Sequence, residues 1–177
     1  TFIIHSSLFN VLIALASYFL FNEIGLSKKN SLLYSALISV LFYPVVGTPF
    51  VDHHSTFFLI IAFYLFILSV NSKKYSYLFF VPFMFCLSFL SKQTPAVYGI
   101  IGILPLIFLL CFYEQKSIKK ILFFLIAGSM GAIFFFIIFI FLININITNF
   151  IEQYILFAGS IGEYRISNYD FDLINII

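Results

Sequence analysis

Charge is what this sequence has least of. Nine lysines and arginines and seven acidic residues make up 9% of 177 residues, against about a quarter in an ordinary soluble domain. Hydrophobic residues make up 63% and mean hydropathy is +1.13. So few charged side chains cannot cover a water-facing surface around this much Phe, Ile and Leu, which excludes a soluble enzyme. A nucleic-acid binder is excluded for want of a basic face, and a disordered segment because hydrophobicity is too high. Cysteine is scarce as well. Cys86 falls in mid-span and Cys111 near the far end of the next span, so their depths argue against a disulfide, and no metal-binding spacing links them. The sequence contains no Gly-rich phosphate loop, nucleophile elbow, HExxH or cysteine-based metal motif. No signal peptide is recognisable, because the first apolar run is span-length and lacks a basic leader and a small-residue cleavage site. The chain starts at Thr1 and stops in the apolar run Leu173–Ile177, so both ends read as cut from something longer.

What remains is apolar runs separated by short polar breaks. A hydrocarbon core of about 30 Å takes roughly 20 helical residues. The runs predict six helices, A (2–22), B (31–47), C (54–70), D (77–91), E (95–113) and F (121–143). The expected fold class is therefore all-α, a polytopic transmembrane helix bundle of about six spans over 1–143. The segment 144–177 is expected as an outer-face loop or interfacial helix leading to a further element. C and D read as short for a full crossing, with aromatic ends and snorkelling lysines making up the difference. Pro82 and Pro105 inside D and E are expected to kink them. Ala127, Gly128, Gly131 and Ala132 on F form small-xxx-small pairs that suit close helix packing. Asn146-Ile147-Thr148 matches a glycosylation sequon.

The few charges are sorted. If all six helices cross, the A–B, C–D and E–F loops share one side. That side has Lys28, Lys29, Lys73, Lys74, Lys116, Lys119 and Lys120 against Glu23 and Glu114, a net +5. The other side has Lys92 and Arg165 against Asp52, Glu152, Glu163, Asp170 and Asp172, a net −3. The positive-inside rule places the lysine pairs in the cytoplasm. Tyr75, Tyr77 and Tyr113 then sit at the cytoplasmic boundary, and Tyr43 and Tyr98 near the opposite one.

The unusual polar residues lie on the outer face. In the B–C loop, Gly47 to Ser55, either Asp52 or Ser55 can cap helix C. Asp52 can also bind a cation or a sugar hydroxyl, and His53 and His54 can contact phosphate or sugar or help hold a metal. Adjacent helical histidines point about 100° apart, which argues against both binding one ion. In Ser91-Lys92-Gln93-Thr94-Pro95, Thr94 and Pro95 form a cap and first-turn pair for helix E. Lys92 is out of place under the charge rule. It stands beside the free N–H groups opening E, an anion site suited to a lipid phosphate, or it snorkels to ordinary headgroups. Arg165, the single arginine, can grip a phosphate two-pronged or pair with Glu163 or Asp170. His5, at the outer end of A, reads as packed or interfacial.

The order of these features resembles the GT-C membrane glycosyltransferases, in particular the type that includes protein mannosyltransferases and bacterial lipid A aminoarabinose transferases. The resemblance covers about residues 1–143. It runs from "LFNVLIALASYFLF" through a lysine turn and a span ending in Pro44, then "STFFLIIAFYLFIL", a basic turn and "LSFLSKQTPAVYG". It implies a sugar carried on a polyprenyl phosphate and transferred to a lipid, glycan or protein acceptor on the outer face of a bacterial inner membrane, with no nucleic-acid partner. Lys92 matches the lysine closing the family's "hydrophobic-(S/T)-K" span, and Asp52 with His53 the acidic or polar position opening the span before it. Lys92, Gln93 and Arg165 are then the expected donor-phosphate ligands, and Asp52, His53 and His54 the expected substrate or cation ligands. The resemblance implies no certain cofactor beyond a divalent cation at such a site. It puts the catalytic acidic residue upstream of Thr1, so this stretch alone is expected to be inactive. The alternative is a transporter or flippase of lipid-linked sugars, or a polytopic protein without chemistry.

The charge split is testable. With cysteines placed at positions 73 and 168, an impermeant thiol reagent applied to intact spheroplasts should label 168 and spare 73. The reverse pattern would invert the orientation.

Overall fold

The structure is a computed structural model that describes residues 2–42, 51–157 and 160. Tyr43, Pro44, the loop from Gly47 to Phe50, Glu163, Arg165 and Asp170 lie outside the described residues. The fold is all-α, with no strand among the described residues. The helices are α1 (Phe2–Glu23), α2 (Lys28–Phe42), α3 (Val51–Ser72), α4 (Phe80–Ser91), α5 (Gln93–Tyr113), α6 (Ile118–Ile143) and α7 (Ile147–Phe150). A 3-10 run, Tyr75–Phe79, leads directly into α4, and a shorter one, Gln115–Ser117, into α6. Four stretches are long and apolar enough to cross a membrane: Ile4–Glu23, Val51–Ser72, Gln93–Tyr113 and Gln115–Ile143. The apolar Tyr75–Ser91 is shorter, as is the 15-residue α2. This is an integral membrane bundle, with most of its apolar side chains facing outward. Phe108 is 71% exposed and Phe123 63%. Apolar residues all round a helix suit a lipid surround, where a soluble helix would keep a polar face.

Two expectations about the spans change. Helix C is not short: α3 has 22 residues, because Val51–His53 and Asn71–Ser72 at its ends are helical despite their polar neighbours. Pro82 does not kink a helix interior. It is the third residue of α4, in the first turn, where an N–H has no intrahelical partner to lose. Pro105 does lie inside α5.

The chain divides into two compact units, Thr1–Ile133 and Phe134–Ile177. In the first, α3 is the central helix and packs on α1, α4 and α5, while α1 also packs on α2. Its core runs through Ala62 and Phe66 of α3, Leu78, Val81 of α4, Ile103 of α5 and Ile121 of α6. The seven buried polar residues of the described chain are all serines. Several join helices. Ser17 Oγ lies 2.8 Å from the Tyr64 hydroxyl, tying α1 to α3, and the half-buried Ser39 adds a further link, its Oγ donating to the Asn10 carbonyl at 3.2 Å and tying α2 to α1. Small side chains let helices approach closely in lipid, and their hydroxyls satisfy what a methyl group cannot.

The helices alternate in direction between two ends. At one end Asn71 Nδ2 donates to the Glu23 carbonyl at 2.8 Å, and Lys73 Nζ stands 3.8 Å from Glu114 Oε1. The turns after α3 and α5 thus share an end. The start of α3 and the α4–α5 corner share the other. In the second unit, Asn146 Oδ1 accepts from the N–H groups of Thr148 and Asn149, so the sequon asparagine is the cap of α7. The chain continues through a wider π-type stretch, Ile151–Leu156.

The small residues of α6 mark a close crossing within the first unit. A Cβ on Gly128 would stand 2.2 Å from the Phe79 carbonyl oxygen, a backbone atom that cannot step aside. One on Gly131 would meet nothing nearer than 3.5 Å. Gly128→Ala should therefore destabilise the protein by about 1–3 kcal/mol, while Gly131→Ala should be tolerated. Thermal unfolding in detergent, with unfolded fraction read by intramembrane cysteine accessibility, separates the two. Equal effects would remove the close crossing.

Candidate functional site

The corner between α4 and α5 is one residue long. Lys92 ends α4 and opens α5 with an extended backbone, φ −160° and ψ 134°. Its N–H donates to the Ser88 carbonyl at 2.9 Å. Its carbonyl holds the cap position of α5 and accepts the first bond of that helix's own ladder, and Ser55 of α3 adds a second donor from outside, with Oγ at 3.1 Å. Ser55 and Ser88 are both fully buried. Their hydroxyls lie 2.9 Å apart, and Ser88 Oγ also donates to the Ser55 carbonyl at 2.8 Å. Two hydroxyl protons thus serve a knot of acceptors that joins α3, α4 and the corner. In a dry interior, each such acceptor left unpaired would carry its full desolvation cost.

This arrangement corrects both expected caps. Ser55 is the fifth residue of α3, too far along to reach the orphan N–H groups of its first turn, and its hydroxyl is spent on α4 and the corner. Thr94 lies inside α5, whose cap position is Lys92. Lysine has no acceptor atom, so it makes no side-chain cap bond.

Asp52 lies three residues before Ser55, on the same helix face. The knot that holds Ser55 against the Lys92 carbonyl therefore brings the Asp52 carboxylate to the Lys92 side chain. Lys92 Nζ stands 2.5 Å from Asp52 Oδ1, with the two side chains 38% and 55% exposed. The pair sits at a mouth rather than in the core. Gln93, next along, is the first residue of α5.

The neighbouring histidines go elsewhere. The His53 ring packs on Phe42, centroids 4.1 Å apart, and its Nε2 is buried with no hydrogen-bond partner among the described residues. His54 turns to α1, its Nε2 3.4 Å from His5 Nε2 and its ring 4.8 Å from that of Phe9. A nitrogen–nitrogen contact of this kind needs one imidazole to donate and the other to accept. His5 is thus a packed histidine, set edge-on against Phe9 at 5.0 Å. Among the described residues, no three His, Cys, Asp or Glu side chains form a group that could hold a metal ion. The structure brings Asp52 and Lys92 together and turns the rings of His53 and His54 to Phe42 and to α1. Arg165 lies outside the described residues.

Sequence reasoning missed Ser88. A serine in mid-run carries no periodic or motif signal. The one available clue was its position one turn before the Lys92 corner.

The chemical capacity of the corner follows. An ammonium beside a helix start attracts an anion through its own charge and through the positive end of the helix dipole together. In this structure the Asp52 carboxylate occupies the ammonium. An incoming phosphate therefore competes with a singly charged carboxylate for a partly solvated lysine, and on winning sets that carboxylate free to accept from a hydroxyl.

Residues 2–141, from α1 to nearly the end of α6 and including the Asp52–Lys92 corner, match the family model described as dolichyl-phosphate-mannose-protein mannosyltransferase. No curated protein and no solved structure matches the chain. A match across this much of an all-α membrane bundle settles the class: the chain belongs to the dolichyl-phosphate-mannose-protein mannosyltransferase family, membrane glycosyltransferases that draw on a lipid-linked sugar donor.

Proposed function

We propose that this chain forms part of a multi-pass glycosyltransferase that takes a sugar from a polyprenyl-phosphate donor at the outer face of a bacterial inner membrane, and that the α4–α5 corner binds the donor phosphate. The observation that carries the reading is the contact between Lys92 and Asp52 at the start of α5. It places a cation, a helix start and an acidic group at one end of the bundle, opposite the lysine-rich turns. The family supplies the chemistry such a corner would meet, a lipid-linked sugar in a membrane.

In this reading the phosphate binds between the Lys92 ammonium and the first N–H groups of α5, with Gln93 at its edge. A phosphate left on a lipid carrier gains negative charge as the sugar departs. A fixed ammonium stabilises that developing charge more than it stabilises the starting diester, and only such a difference accelerates a reaction. Asp52 gives up its contact with Lys92 as the phosphate arrives. It then faces the sugar, since a carboxylate held against the phosphate would repel it. His53 and His54 lend shape to the wall behind Asp52, through rings packed on Phe42, Phe9 and His5. Arg165 is proposed as a second phosphate ligand from the segment following the bundle.

The test uses the full-length protein. An exposed ion pair contributes only about 0–1 kcal/mol to stability, so Lys92→Ala should fold and insert as the parent does. Donor turnover should nonetheless fall roughly tenfold to a hundredfold, the loss of one charge-assisted phosphate contact worth about 1.5–3 kcal/mol. Lys92→Arg should recover part of the loss, because the charge stays and the shape changes. Turnover with a radiolabelled polyprenyl-phosphate sugar measures this. Unchanged turnover and donor affinity in folded Lys92→Ala would return Lys92 to an ordinary interfacial lysine.

A further inference from the structure

The opposite end of the bundle carries a second basic feature that the proposed donor site does not use. Two cavities lie side by side there. One, of about 530 Å³, is lined by Lys73, Lys74, Tyr75, Glu114, Lys116 and Lys120 among others. The other, of about 510 Å³, is lined by Lys119, Lys120, Phe123 and Phe124. They share Lys120 and Phe124. The first thus offers four ammonium groups against a single carboxylate, and the second continues it along the aromatic outward side of α6, where Phe123 is 63% exposed.

The turn that builds the first cavity is held at a cost. Lys73 sits at φ 55°, a left-handed conformation that a residue with a Cβ adopts at a penalty and that glycine adopts freely. The 3-10 run after it anchors the turn through buried Tyr75 and Leu78. Glu114 reaches Lys73 across the cavity at a loose 3.8 Å, too weak a contact to neutralise the cluster.

We infer that this paired cavity binds the head group of an anionic phospholipid, with the phosphate among Lys73, Lys74, Lys116 and Lys120 and the first part of an acyl chain along Phe123 and Phe124. A free anion would need the lysine cavity alone. The apolar continuation through Phe124 is what a lipid requires and a soluble phosphate does not. The turns after α3 and α5 are both held by this one charge cluster, so a bound head group clamps the end of α3 to the start of α6.

Native mass spectrometry of the detergent-solubilised protein, loaded with phosphatidylglycerol or with phosphatidylcholine, tests the inference. The parent protein should retain phosphatidylglycerol in preference to phosphatidylcholine. Each lysine near an anionic head group accounts for about a fivefold change in binding, so the triple change Lys73→Gln, Lys116→Gln, Lys120→Gln should weaken retention by about a hundredfold. The triple Lys→Arg version of the same positions should retain the lipid, which separates loss of charge from loss of fold. Lys28→Gln with Lys29→Gln, at the start of α2 and lining neither cavity, should leave retention unchanged. Equal loss in the Lys28/Lys29 variant would show a diffuse charge effect and overturn the site. So would displacement of the lipid by millimolar inorganic phosphate, which would make the cavity a free-anion site, or equal retention of the two lipids.

Discussion

The geometry of the site end depends on two buried hydroxyls. Where α4 stops and α5 starts without an intervening loop, a serine hydroxyl held in a protein whose surroundings are hydrocarbon must find its partners within the fold. Ser55 donates to the Lys92 carbonyl, Ser88 locks Ser55, and the start of α3 is thereby pinned to the corner. The contact of Asp52 with Lys92 is a consequence of that pinning, because a residue three positions from Ser55 falls on the same face. The knot is dry and fully buried; the ion pair is half-exposed. Architecture and chemistry are in this way assigned to different side chains one helical turn apart, which leaves the charged pair able to break while the helices stay in place.

The same economy runs through the bundle. Every buried polar residue described is a serine, the smallest side chain that can donate a hydrogen bond and still allow close helix approach. At one end a larger polar group takes over, Asn71 reaching the Glu23 carbonyl. Interhelical hydrogen bonds in membranes are individually modest, so the apolar packing of Ala62, Phe66, Val81 and Ile103 carries most of the cohesion, and the serines select which faces meet.

Much of this was legible in the residues. Lysine pairs at the turns and unbroken apolar runs between them marked the helices, because a charged side chain is expensive anywhere but at a membrane boundary. Lys92 stood out by being on the wrong side of that pattern, and Asp52 by being the one acid at the start of a span. What misled was local chemistry. Thr94-Pro95 has the form of a helix start, yet the extended residue is Lys92, since a proline in a first turn is tolerated without defining where the turn begins. Ser55 looked like a cap because it stood near a helix boundary. Its role is set by a carbonyl 37 positions away, and a contact of that span leaves no mark in a local pattern. Ser88 was invisible for the same reason. The divergence of His53 from His54 did follow from helical geometry, which turns each successive residue by about 100°; their parting from Asp52 did not.

The single-residue corner has a consequence for how the protein enters its membrane. The 12 residues of α4 extend about 18 Å, and the five of the preceding 3-10 run add about 10 Å, barely the thickness of the hydrocarbon. A segment this short, ending in a lysine and joined to the next by no loop, is poorly suited to leaving the translocation channel alone. The two arms must partition together as a helical hairpin, with α5, long and strongly apolar, drawing α4 in behind the charged tip.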